Sequence, residues 1–191
     1  MSSTTTNSTN PMVKLIGLVL LVAAVVMVAA GATTWAFVTS ALKDENITVS
    51  AVTEEEPGSL AGKPVAGPFT AYAQANAIAH HALAGAEGRT YAELGEASNA
   101  LKAELAADGK SEAEIAEDEG VLEIAAQRTT AMNGSFLRAS LFTSVVSYGV
   151  AALVMGLGLL FGLLGFALRS ISTTTVVTTA TPTERPVASA V

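Results

Sequence analysis

Residues 15–38 read LIGLVLLVAAVVMVAAGATTWAFV, a run of 24 residues without a charged side chain. As an α-helix rising ~1.5 Å per residue, this run would be roughly 36 Å long, more than the ~30 Å hydrocarbon core of a bilayer. A second uncharged run, ASLFTSVVSYGVAALVMGLGLLFGLLGFAL, covers 30 residues at 139–168. A segment in lipid must satisfy its own backbone hydrogen bonds, and both runs are too long for single strands of a barrel. Both are therefore predicted to be transmembrane helices.

A cleaved signal peptide is the alternative for the first run. Lys14 precedes it, and residues 29–32 are the small residues AAGA. The apolar region of a signal peptide is about 7–15 residues long, however, and this run is much longer. The sequence favours a retained membrane anchor at residues 12–38.

Aromatic and basic residues suggest where the helices leave the membrane. Trp35 lies near the end of the first run and Tyr148 lies nine residues into the second. Both residue types prefer the membrane–water interface, so we take Trp35, Tyr148 and the flanking Arg138 and Arg169 as interface anchors. The stretch from residue 15 to Trp35 and the stretch from Tyr148 to residue 168 are then equally long. Two helices of equal length are what an antiparallel hairpin requires. Residues 139–147 become an apolar extension that leads into the transmembrane core at 148–168.

The segment between the two runs, residues 39–138, is strongly acidic. It contains 16 of the 17 acidic residues and seven of the ten lysines and arginines. A loop longer than about 60 residues is largely outside the positive-inside rule, so orientation must be judged at the first span. Lys14 precedes that span, whereas Lys43, Asp44 and Glu45 follow it. We expect a multi-pass protein of the bacterial plasma membrane with both termini in the cytoplasm and this segment outside.

Composition divides the rest of the chain. Residues 1–11 and 169–191 are rich in Ser and Thr and are predicted to be disordered tails. Residues 39–67 carry acidic, Pro and Gly residues and are predicted to be an extended, unpacked linker. Residues 68–138 are predicted to form an alanine-rich helical extracytoplasmic domain. The predicted fold class is an all-α membrane protein with two transmembrane helices in an antiparallel hairpin.

Two capping boxes divide the helical domain. Thr90 with Glu93, and Ser111 with Glu114, have the spacing at which a hydroxyl and a carboxylate satisfy free backbone N–H groups at a helix start. A helix from Pro68 to Gly85 precedes them. The helix that begins at Ser111 is expected to continue into the second span, with bends at Gly120 or Gly134.

Few residues suit catalysis or cofactor binding. The chain has no cysteine, which excludes disulfides and thiolate sites, and its net charge of -7 argues against nucleic-acid binding. His80 and His81 are neighbours, so on a helix they point about 100° apart and cannot easily share a metal. We therefore predict no catalytic, cofactor or metal-binding residue. The acidic residues favour a solvated face, with loose divalent-cation binding as the alternative.

The second span contains a GxxxG motif. Gly158 and Gly162 form it, and Ala152 and Gly156 repeat the same spacing. Small residues let two helix backbones approach closely, which is a main source of association in lipid. These four residues are the predicted helix-packing face, within the hairpin or between chains. The alternative is that glycine is simply frequent in membrane helices.

Several stretches carry a family resemblance. They are NPMVK at 10–14, PFTAYAQA at 68–75, HAL at 81–83, RTYAEL at 89–94 and MNGSFLRASLFTSVV at 132–146. Together they resemble an uncharacterised two-span membrane protein family of high-G+C bacteria, over most of residues 10–168. Members are often described as aromatic ring-opening dioxygenase LigA. The resemblance implies the two-span topology, and no iron-ligand set carries over residue by residue.

Three functions follow from these observations as hypotheses. The first is a non-enzymatic membrane protein that acts through protein contacts in the cell envelope, with the lipid bilayer and a second copy or an envelope complex as partners. The alternative, implied by the resemblance, is a subunit of an aromatic ring-opening dioxygenase. A third is an external sensor of cations or peptides.

Overall fold

The computed structural model describes residues 3–9, 11–171 and 173–179, and it defines side-chain environments for residues 11–171. The elements in chain order are β1 (Ser3–Thr9), α1 (Pro11–Asp44), α2 (Pro68–Ala84), α3 (Tyr91–Ala107), α4 (Glu112–Ala116), α5 (Glu119–Ile171) and β2 (Thr173–Thr179). Helices account for 78% of residues 11–171. The central part of the chain is therefore all-helical, as predicted.

The two short strands lie in the tails. β1 and β2 pair antiparallel, with Ser3 opposite Thr179 and Thr9 opposite Thr173. This pairing differs from the prediction of disordered tails. Thr and Val are β-branched residues that favour extended backbone, and they dominate both strands. The predicted disorder of residues 1–2, 10, 172 and 180–191 lies outside the described residues.

Helices α1 and α5 are long and apolar enough to cross a membrane. α5 continues for 53 residues, from within the acidic segment through the second apolar run. The helix predicted from Ser111 is broken, because α4 ends at Ala116 and α5 begins only at Glu119. Asp118 caps this new start, since its carboxylate accepts the N–H of Gly120 at 3.1 Å. The break therefore lies just before one of the two glycines at which a bend was expected.

The chain divides into two compact units. Unit 1 contains Met1–Ala32 and Leu153–Val191, and unit 2 contains Thr33–Ala152.

The main core of unit 2 includes residues from the predicted linker. Its buried members are Leu42, Val49, Val65, Ala71, Ala75, Leu141 and Tyr148. Val49 donates its N–H to Lys63 at 2.9 Å, and Val65 donates to Ile47 at 2.8 Å. Residues 45–67 thus form a packed strap, which differs from the prediction of an unpacked linker. Val49 and Val65 bury their side chains there, and backbone hydrogen bonds join the two sides of the strap.

The short helices of unit 2 begin and pack largely as their sequences indicate. Both capping boxes are confirmed: Thr90 accepts the N–H of Glu93, and Ser111 accepts the N–H of Glu114. A second cluster joins Ala86, Leu94 and Ala131. α2 and α5 meet closely at Gly134, where an added Cβ would lie 2.5 Å from the Cβ of Ala82. Only glycine leaves room for this approach.

Candidate functional site

Unit 1 contains a seam of small residues between α1 and α5. A Cβ added to Gly165 would lie 2.7 Å from the carbonyl oxygen of Gly17. A Cβ added to Gly158 would lie 3.1 Å from the carbonyl oxygen of Ala24. As the position on α1 rises from 17 to 24, the residue that it meets on α5 falls from 165 to 158. The two backbones therefore approach within van der Waals range at both places, which only small side chains allow.

The predicted packing residues have different environments. Gly158 faces α1, and an added Cβ at Gly162 would lie at an ordinary 3.5 Å from the Cβ of Ala24. An added Cβ at Gly156 would have nothing within 4 Å, and Ala152 is an exposed residue of unit 2.

Gly17 was not predicted to be a packing residue, although it lies in the seam. A seven-residue spacing in the sequence could have indicated it, because small residues lie at 17 and 24 on one helix and at 158 and 165 on the other. A seven-residue repeat is the spacing at which two supercoiled helices meet.

An apolar groove lies beside the seam. Its volume is about 760 Å³, and every residue that lines it is apolar. The lining residues are Leu21, Ala24, Val25, Val28, Ala29, Ala32, Gly158, Leu159, Gly162 and Leu163. We call this surface the unit 1 groove. Val25, Leu159 and Leu163 are exposed there, next to positions that carry little or no side chain, and this shape can receive the side chains of another helix.

The predicted interface anchors take part in contacts. Trp35 and Tyr148 pack edge to face, with ring centroids 4.6 Å apart. Tyr148 is buried, and its hydroxyl shares a 2.8 Å hydrogen bond with the Thr39 hydroxyl. Arg138 lies over the ring of Phe142 at 5.1 Å. Tyr148 thus has a packing role that the sequence did not reveal, and an interfacial role for these residues stays a prediction.

Arg169, the fourth predicted anchor, lies at the Gly17 end of the seam. Its Cγ would be 2.8 Å from a Cβ added to Gly17. Any side chain at Gly17 would therefore meet both the Arg169 stem and the backbone of Gly165.

The histidines and carboxylates do not form a metal-binding cluster in the part of the chain that the structure describes. Within it, no three His, Asp or Glu residues are grouped so that they could hold a metal ion. His80 and His81 are exposed, and their ring centroids are 6.1 Å apart.

Local hydrogen bonds shift the titration of several charged groups in unit 2. The backbone N–H and the hydroxyl of Thr90 lower the pKa of Glu93 below its ordinary 4.5. The hydroxyl and the backbone N–H of Ser111 do the same for Glu114. Lys110 and Asp118 form a 2.8 Å ion pair, which lowers the pKa of Asp118 and raises that of Lys110. These groups are exposed helix caps and a surface ion pair, so their shifts reflect local structure.

A smaller cavity lies in unit 2, with a volume of about 170 Å³. Its walls come from α2, the loop before α3, the first residue of α3, and α5. Arg89 and Arg138 both line it.

Comparison of the chain with protein-family models finds no family that matches it. Searches of curated proteins and of solved structures find no match either.

Proposed function

We propose that this chain is a non-enzymatic integral membrane protein of the bacterial envelope that acts through contacts between membrane helices. In this proposal α1 and α5 cross the plasma membrane as an antiparallel hairpin. The acidic segment between them is outside the cell, and both termini are in the cytoplasm. The unit 1 groove is the surface that binds the partner.

The unit 1 groove is the observation that carries this proposal. All ten residues that line it are apolar, and five of them are exposed: Val25, Ala29, Ala32, Leu159 and Leu163. Residues outside it, such as Val22, Leu160 and Leu164, are exposed as well. Exposed apolar surface of this extent is costly in water and ordinary in lipid. Small residues in such a surface let a helix backbone approach closely, so the groove suits a transmembrane helix.

A second copy of the chain is the partner that we propose for the groove. The same surface presents protruding side chains, at Val25, Leu159 and Leu163, and small positions, at Ala29 and Gly162. A face with both features can pack against its own copy across a two-fold axis, because each protrusion meets a small position of the partner.

Photo-crosslinking at four neighbouring leucines tests the groove. Benzoylphenylalanine is placed at Leu159 or Leu163, which line the groove, or at Leu160 or Leu164, which are also exposed but do not line it. After irradiation of membranes from expressing cells, we expect an adduct with twice the mass of the chain from the first pair alone. Equal adducts from all four positions, or none, would refute the groove as the contact surface. An adduct with a different protein would refute the second-copy assignment.

Cysteine labelling tests the topology. The chain has no native cysteine, so single cysteines can be introduced at Asn99, an exposed position of α3, and at Ser189. A membrane-impermeant maleimide should label Asn99→Cys in intact cells and Ser189→Cys only after lysis. The opposite result would invert the topology.

A further inference from the structure

In unit 2, α2 lies antiparallel along α5. Just after the end of α2, a Cβ added to Gly85 would lie 3.4 Å from the Cγ2 of Thr130 on α5. Near the start of α2, the rings of Tyr72 and Phe142 have their centroids 5.9 Å apart. As the position on α2 falls from 85 to 72, the position that it meets on α5 rises from 130 to 142. Because both helices rise by the same distance per residue, they run side by side and nearly in step.

This register places Phe69 close to the level of Tyr148. Phe69 precedes Tyr72 by one turn of α2, so it lies level with about residue 145 of α5. Tyr148 is less than one helical turn further along α5, and it contacts Trp35 of α1. Trp35 and Tyr148 are the two aromatic residues that the sequence predicts to mark the membrane–water interface. Phe69 belongs to a helix outside both apolar runs and nevertheless shares their level.

Three apolar side chains at this level are exposed, one from each of three helices. Phe37 of α1 is 72% exposed, Phe69 of α2 is 80% exposed and Val146 of α5 is 64% exposed. Phe37 is two residues from Trp35, and Val146 is two residues from Tyr148. We call these three side chains the basal patch. Exposed apolar groups gathered at one level indicate a surface that contacts protein or membrane.

The members of the basal patch face different sides of unit 2. Phe37 lines a cavity between α1 and α5, together with Ser144 and Ser147. Phe69 lines a different cavity, between α2 and the strap, together with Leu60. One protein partner would cover one side of the unit, whereas a bilayer surrounds a membrane protein on every side. Lipid is therefore the occupant that fits the whole patch.

The chain that enters α2 is suited to contact with lipid. Residues 64–79 contain no charged side chain. The Thr70 hydroxyl accepts the N–H of Ala66 at 3.0 Å and that of Gly67 at 3.2 Å, and Pro68 has no N–H to satisfy. Unpaired backbone donors are costly in an apolar environment, so this pairing lowers the cost of bringing the start of α2 to the membrane.

We propose that Phe69 and the first turn of α2 lie in the interfacial region of the bilayer, as a membrane contact additional to α1 and α5. Phenylalanine side chains of interfacial helices are buried at the boundary between headgroups and acyl chains. The strap is tied to α2, since Ser50 donates its N–H to Gln74 at 2.7 Å. The contact would therefore hold both elements against the membrane. This inference rests on the proposed membrane insertion of α1 and α5, and it is independent of their orientation and of the unit 1 groove.

Tryptophan quenching by brominated lipid tests this contact. Trp35 is the only tryptophan of the chain, so Trp35→Phe gives a background to which one new tryptophan can be added. The full chain and its variants are reconstituted into phosphatidylcholine vesicles whose acyl chains are brominated near the headgroup, and unbrominated vesicles serve as the reference. We expect strong quenching of Trp35 in the wild-type chain. Phe69→Trp in the Trp35→Phe background should be quenched at least half as strongly.

Leu83→Trp in the same background is the matched control. Leu83 is also an exposed apolar residue of α2, but it lies near the other end of the helix, roughly 21 Å from Phe69. Its tryptophan should not be quenched. Both substitutions replace exposed side chains, so both variants should keep the wild-type helix content in far-ultraviolet circular dichroism.

Moving the bromine to the methyl end of the acyl chains tests the depth. Quenching of Phe69→Trp should then fall, because the ring lies at the interface and not in the middle of the bilayer.

Three results would overturn the proposal. Quenching of Trp35 without quenching of Phe69→Trp would refute the contact of α2 with lipid and leave the membrane insertion of α1 and α5 standing. Equal quenching of Phe69→Trp and Leu83→Trp would refute the assignment to the first turn of α2. No quenching of Trp35 would refute both this contact and the proposed insertion.

Discussion

Alanine at Gly165 is expected to force α1 and α5 apart in unit 1, whereas alanine at two nearby glycines is not. The added methyl group would lie 2.7 Å from the Gly17 carbonyl oxygen and 3.0 Å from the Leu21 Cγ. The same group at Gly162 would meet one atom at 3.5 Å, and at Gly156 it would meet nothing within 4 Å. The three substitutions are chemically identical and lie on one helix, so only the packing differs between them.

The expected change in the free energy of unfolding is the sum of two opposing effects. Replacing a helical glycine by alanine stabilises a helix by roughly 0.5–1 kcal/mol, which Gly156→Ala and Gly162→Ala should retain. At Gly165 the oxygen must move by roughly 0.7 Å to reach ordinary contact, and a gap of that size forfeits a quarter to a half of each dispersion contact along the seam. Overpacking of this kind costs about 1–3 kcal/mol. We expect Gly165→Ala to be about 1–2 kcal/mol less stable than wild type.

Reversible unfolding in mixed micelles, titrated with SDS and followed by far-ultraviolet circular dichroism, measures this difference. The expected order of stability is Gly156→Ala and Gly162→Ala at or above wild type, with Gly165→Ala below it. If Gly165→Ala is as stable as Gly162→Ala, then α1 and α5 are not in contact at Gly17 and Gly165, and the description of the seam is wrong.

Three other substitutions test unit 2. Gly134→Ala should destabilise unit 2 by about 1–3 kcal/mol in thermal unfolding, because the new methyl group meets Ala82. Adding Ala82→Gly to the same chain should restore most of the lost stability. If the effects of the two substitutions on stability simply add, the close approach of these positions is contradicted. Tyr148→Phe should cost about 1 kcal/mol in chemical unfolding, since it removes the partly buried hydrogen bond to Thr39, and wild-type stability would show that this bond contributes nothing. The lowered pKa of Glu93 means that its stabilising effect is present above its ordinary pKa of 4.5 and is lost as pH falls through the folded value. Glu93→Gln should therefore show a smaller fall in melting temperature between about pH 5 and 3, and an unchanged fall would assign the acid sensitivity to other groups.

Features set by neighbouring residues were predictable from sequence. A capping box needs only a hydroxyl and a carboxylate three positions apart, so Thr90 and Ser111 indicated the starts of α3 and α4. The two apolar runs were equally plain, because length and absence of charge suffice to identify helices able to span a bilayer.

Features that depend on distant partners were not predictable. Val49 and Val65 sit among Pro, Gly and acidic residues, and their burial follows from pairing across the strap, which local composition does not encode. The GxxxG spacing drew attention to Gly158 and Gly162, whereas Gly165 packs against Gly17 through a register between two helices far apart in sequence. The unit 2 cavity is likewise lined by residues from separate elements, such as Leu83 of α2 and Ala131 of α5.

The strap at residues 45–67 has a consequence for proteolysis. Its tip, around Glu54, Glu55 and Glu56, is exposed, while the backbone on either side is joined through Val49 and Lys63. Below the tip, Ser50 donates its N–H to the side chain of the buried Gln74 at 2.7 Å. A protease would reach the tip first, and one cut there would leave both new ends held by these bonds and by the buried valines. Unit 2 would then persist as a nicked but folded body, and fragments seen on a denaturing gel would overstate the loss of intact structure.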